Sequence, residues 1–86
     1  MYTYLISYDL DKPGQNYAKL SARLQQLGAF RIEMSLWAAQ AAYTAVQLRD
    51  DLRGYIDAND RLLVAQVGTW ASWNLMDGEK FKQIAA

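Results

Sequence analysis

The chain contains no cysteine and no histidine among its 86 residues. The first absence removes disulfide frameworks, thiolate nucleophiles and cysteine-ligated zinc, and it suits a reducing cytoplasm. The second removes imidazole general bases, histidine-based triads and histidine-ligated metals. Charge of one sign is not in excess either. Nine Lys and Arg stand against nine Asp and Glu, for a net charge of zero, so no global basic field draws in nucleic acid and any phosphate binding has to be local. No apolar run approaches the ~20 residues needed to span a bilayer, and the first residues lack the charged start and apolar stretch of a secretory signal. These absences leave carboxylates and a hard cation such as Mg²⁺ as the expected chemistry of any catalytic site, in a protein expected to be cytoplasmic and without a membrane partner.

What the chain has in quantity is apolar surface: 52% of its residues are hydrophobic, with three Trp and six Tyr. A single domain of this length buries only roughly 60–65% of the surface that its unfolded form exposes. That is more apolar surface than a two-layer fold this small easily hides, and a homodimer is the expected solution.

Residues 2–8, YTYLISY, alternate as a strand, with Tyr2, Tyr4, Ile6 and Tyr8 on one face and Leu5 and Ser7 on the other. Lys12-Pro13-Gly14-Gln15 suits a type II turn. Tyr17, Leu20, Leu24 and Leu27 recur at helical spacing from about Asn16, and Gly28 stands where a helix ends. Residues 29–39, AFRIEMSLWAA, are extended in character and long for one strand, with a break placed near Glu33-Met34-Ser35. Thr44 and Gln47 form a capping-box pattern ahead of a stripe of Leu48, Leu52, Tyr55 and Ile56, with Gly54 as its weak point. RLLVAQV, 61–67, reads as a strand apolar on both faces. Residues 69–76 read as a further short strand or an ordered tail, and 77–86 as a frayed helical turn.

The expected fold is therefore a single α+β domain over 1–86, ferredoxin-like βαββαβ with an antiparallel sheet, its core in 2–67 and a C-terminal strand or tail in 68–86. Right-handed crossovers put both helices on one sheet face. The other face must meet water or a partner, and Tyr2, Tyr4, Ile6 and the two-sided apolar last strand argue for a partner. In this topology the first strand runs antiparallel to the third and fourth, so Asp9 should neighbour Ser35 and Arg61, near the N-terminus of the first helix. An acid, a hydroxyl and a guanidinium gathered there can hold a metal-bound phosphate, or they can form an ordinary hydrogen-bonded strand end. One carboxylate is too few ligands for a firm Mg²⁺ site, but a two-fold axis near this edge would bring two copies of Asp9 together. Two bare carboxylates ~4 Å apart repel by about 4 kcal/mol at an effective dielectric of 20, so a cation or a proton would have to bridge them.

The YLISYDL strand with its terminal Asp9, the order of elements, and the step Met34-Ser35-Leu36-Trp37 resemble CRISPR-associated protein two and its stand-alone relatives, a broad group that includes the VapD-like toxin ribonucleases. The resemblance covers about residues 2–67, and the opening YLISYDLDKPGQ looks most like the small stand-alone, SinR-like branch. It implies a homodimer through the open sheet face with Asp9 of each subunit placed to hold one Mg²⁺ or Mn²⁺ for hydrolysis of RNA or DNA phosphodiesters. Asp9 and Ser35 are then the candidate catalytic residues, Asp9 the metal ligand, and Lys12, Arg31 and Arg61 the candidate phosphate contacts. Family members acting in spacer acquisition are chiefly structural, and their basic run after the strand-end acid is replaced here by Asp11-Lys12-Pro13-Gly14-Gln15. The alternative is a non-catalytic dimeric scaffold or protein-interaction module. For the cations the plain alternative is exposed salt bridging. Arg23, Arg49 and Arg53 read as helix surface, with Asp50–Arg53 and Arg49–Asp57 as local pairs. Trp70 and Trp73 read as core or dimer seam rather than as base-stacking platforms.

Overall fold

The computed structural model describes residues 1–11 and 17–85. The expected turn at Lys12 to Gln15 and the expected helix start at Asn16 lie outside the described residues. The elements are β1 (Tyr2–Asp9), α1 (Tyr17–Gln26), β2 (Phe30–Glu33), β3 (Leu36–Ala41), α2 (Ala45–Arg53), β4 (Arg61–Gln66) and α3 (Gly78–Ala85). The strands form one antiparallel sheet in the order β2-β3-β1-β4. Ile6 stands between Trp37 of β3 and Val64 of β4, and Ser7 between Leu36 and Leu63.

Local chemistry sets the boundaries. At the end of α1 the Gly28 amide donates to the Gln25 carbonyl at 3.0 Å and the Ala29 amide to the Leu24 carbonyl at 2.9 Å. This closure needs a left-handed residue, and Gly28 supplies it at φ 79°. Thr44 accepts from the Gln47 amide while the Gln47 side chain accepts from the Thr44 amide, so the capping box is formed at α2. The expected stripe ran to Ile56, but α2 stops at Arg53 because Gly54 begins a tighter turn in which Tyr55 donates to the Leu52 carbonyl. The two strands of 30–41 break at Met34-Ser35, next to a register shift between Arg31 and Glu33.

The two faces of the sheet are covered by different parts of the chain. Tyr4, Ile6, Tyr8, Trp37 and Ala39 pack with Leu20 and Leu24 of α1 and Leu48 and Leu52 of α2. The tyrosine face is thus the helix-covered face, not the open one. Its polar tips find partners inside the layer: the Tyr4 hydroxyl donates to the Tyr43 carbonyl at 2.5 Å, and the Trp37 indole to the Tyr8 hydroxyl at 3.3 Å. On the opposite face Phe30, Ile32 and Ala38 pack with Phe81 of α3, joined by Leu5, Val67, Trp70, Leu75 and Ile84. The expected open face therefore carries a third helix of the same chain.

Residues 69–76 form the ordered-tail alternative, with no strand. Met76 donates to the Ile32 carbonyl at 3.0 Å, and Asn74 and Asp77 have φ of 57° and 48°. The last carbonyls of α3 are satisfied from the sheet and the loop: the Thr3 hydroxyl donates to the Ile84 carbonyl, and the Trp70 indole to the Ala85 carbonyl at 3.2 Å. Trp70 also meets the Phe81 ring edge-on at 4.6 Å between centroids.

Phe81 is 2% exposed and is the aromatic that α3 contributes to this layer. Phe81→Ala should cost about 3 kcal/mol or more in urea unfolding. An unchanged midpoint would contradict the packing of α3 on the sheet.

Candidate functional site

β1 ends at Asp9, whose register partner is Arg61, the first residue of β4. The Arg61 guanidinium donates to an Asp9 carboxylate oxygen, Nη1 to Oδ2, at 3.1 Å. Both side chains are largely exposed, Asp9 at 70% and Arg61 at 80%. An ion pair this wet contributes on the order of 0–1 kcal/mol and is screened by salt. Ser35 lies in the β2–β3 turn and reaches the same end of the sheet through its backbone, its carbonyl accepting from the Tyr8 amide at 3.4 Å. Asp9, Ser35 and Arg61 are therefore brought to one end of the sheet.

Arg31 does not join them. It pairs across to Trp37, in the row of Ile6, about 10 Å back along the strands. Its guanidinium lies over the Trp37 ring, 5.2 Å from the centroid. Lys12 lies outside the described residues.

Asp60, which is not among the expected site residues, organises this end. Its carboxylate accepts the Asp11 amide and the Asp57 amide, each at 2.7 Å, tying the end of β1 to the turn between α2 and β4. The available signal was the Asn59-Asp60 pair, since Asp commonly bonds backbone amides in turns. Beside it lies a cavity of about 470 Å³ lined by Arg49, Arg53, Ile56, Asp57, Asp60 and Leu62. Its cations and acids are interleaved, and Arg49 is bonded to Asp50 at 2.9 Å. The field there favours neither sign strongly.

Among the described residues no group of three or more acidic side chains could hold a metal ion. Within one chain Asp9 is a single exposed carboxylate bonded to a guanidinium, and Asp60 already accepts two amides. This donor set does not fit a dedicated Mg²⁺ or Mn²⁺ site.

The strongest ion pair lies elsewhere, between helices. Arg23 of α1 grips Asp51 of α2 with two parallel bonds, Nε to Oδ1 at 2.8 Å and Nη2 to Oδ2 at 2.6 Å. The guanidinium also lies over the Tyr55 ring at 5.9 Å. Reading Arg23 as plain helix surface missed this, because pairing across helices requires knowing which faces meet. The hydrogen bonds from Arg23 hold the Asp51 carboxyl below its ordinary value of 3.8, with partial burial opposing them.

No family model matches this chain. In fold it is similar to the crystal structure of a hypothetical protein, TT1823, from Thermus thermophilus, with a TM-score of 0.68 and 20% sequence identity over 84% of this chain and 88% of that one. At that identity the likeness shows the fold alone.

The Arg23–Asp51 pair has a definite pH signature. With the folded pKa lowered, the unfolded chain binds more protons, so the stability that the pair supplies is present above the unfolded carboxyl pKa and is lost as pH falls through the folded one. Asp51→Asn should therefore be less stable than the native chain near neutrality, with the difference fading below about pH 4 in urea unfolding at a series of pH values. A deficit that stays constant down to pH 2 would contradict the pair's role.

Proposed function

We propose that this chain is a non-catalytic homodimeric interaction module of the CRISPR-associated protein two and VapD-like kind, built on a ferredoxin-like domain with an added C-terminal helix. The observation that carries this reading is the engagement of Asp9 by Arg61 of its own chain, which gives that carboxylate a cationic partner without a metal ion. The zero net charge supports it further, since nothing in the composition favours wrapping a nucleic acid. Large apolar side chains stand in solvent, Trp73 at 92% exposure and Met34 at 74%, and residues of this type serve as anchors in protein interfaces.

A second reading is favoured by a specific observation, the 70% exposure of the Asp9 side chain. A pair so exposed leaves the carboxylate open to a competing cation, and a second copy of Asp9 nearby would add a second carboxylate for Mg²⁺ or Mn²⁺, with water filling the other positions. The chain would then be a metal-dependent nuclease acting on RNA or DNA, with Arg61 against the phosphate and Ser35 beside it.

Labelled RNA and DNA incubated with the purified protein in Mg²⁺ and in Mn²⁺, alongside Asp9→Asn, separate the two. The module reading expects no cleavage above background from either protein. Cleavage by the native chain that falls at least about tenfold in Asp9→Asn would replace it with the nuclease reading.

A further inference from the structure

The two edges of the sheet are built differently. The β2 edge is short, carries Arg31 and Glu33, and is broken by the register shift between them. Charge, brevity and bulging are the devices by which proteins keep a strand edge from pairing. The β4 edge has none of them. It runs for six residues, RLLVAQ, in unbroken register with β1, with no proline or lysine and with Arg61 as its sole charge, at one end. Leu63, in the middle, is 63% exposed.

Backbone alternation fixes what this edge presents. Val67 donates to the Thr3 carbonyl at 2.8 Å, so the N–H and C=O groups of Arg61, Leu63 and Ala65 point toward β1 and those of Leu62, Val64 and Gln66 point outward. Among the described residues no strand pairs with that outer side.

We infer that the outer edge of β4 pairs antiparallel with the same edge of a second copy of this chain, about a two-fold axis at Val64. This deepens the proposal above and rests on its homodimer. In this register Val64 meets Val64 of the second copy and Leu62 meets Gln66 of the second copy, so every outward amide and carbonyl gains a partner. Leu63 comes to lie opposite Ala65 of the second copy on the same face, which covers its exposed side chain. A second copy is the occupant because the strand is complementary to itself: the apolar centre meets the apolar centre, and the two Arg61 residues go to opposite ends, each already bonded to its own Asp9. Joining the sheets this way also sends the two Asp9 carboxylates to opposite ends of the paired strands, roughly 20 Å apart along the strand direction alone. A dimer through this edge cannot share a cation between them.

Sedimentation equilibrium across a concentration series tests the inference with two variants. Val64→Pro removes an outward amide and no bond to β1, and Leu63→Lys places a charge at the seam on a side chain already in solvent. The native chain is expected to dimerise, and each variant to raise the dimer dissociation constant at least about tenfold with an unchanged circular dichroism spectrum. Should Val64→Pro fail to fold, Leu63→Lys decides alone. A native chain that stays monomeric overturns both this inference and the homodimer reading. A native dimer that folded variants leave unweakened overturns the β4 edge and leaves the homodimer standing on another surface.

Discussion

Everything in this molecule depends on covering both faces of a four-stranded sheet with one short chain. β1 is the strand on which the constraint falls hardest, with neighbours on both sides and protein above and below it. Its alternation divides the labour: Tyr4, Ile6 and Tyr8 go to α1 and α2, and Leu5 goes to α3. The hydrophobic gain is shared between two thin layers. Neither layer is thick enough to stand alone in a domain of this size. The C-terminal helix is therefore part of the fold's stability and not an appendage, and its last carbonyls are bonded to Thr3 in β1 and Trp70 in the preceding loop.

The same economy shapes the end of the sheet at Asp9. With no histidine or cysteine, the charged groups among the described residues at this end are carboxylates and guanidiniums, and each of three has a partner within the chain. Asp9 takes Arg61, Asp60 takes two backbone amides, and Arg49 takes Asp50.

Periodicity carried the helices and strands into view because a buried stripe or an alternating face imposes its period on the residues. β1, β4, the Thr44 capping box and the Gly28 terminus were legible for that reason, as was the meeting of Asp9 with Arg61 at the strand end. The face assignment was not legible. A strand of Tyr2, Tyr4 and Ile6 shows which residues share a side but not which side the helices take, and α3 lay hidden in a segment whose apolar residues, Trp70, Leu75, Phe81 and Ile84, are spread over a loop and two turns of helix. Trp70 took the core position expected of it, while Trp73, read the same way, stands in solvent within its own chain. The Arg23–Asp51 clasp was invisible because it joins two helices whose relative rotation no local pattern encodes.

The closure of the sheet by α3 of the same chain is the central claim. Isotope-edited nuclear Overhauser spectroscopy on a sample mixing labelled and unlabelled protein tests it most directly, by asking whether the Phe81 ring contacts Phe30 and Ile32 within one molecule. The account predicts strong intramolecular contacts. Contacts seen only between labelled and unlabelled molecules, or none at all, would contradict it.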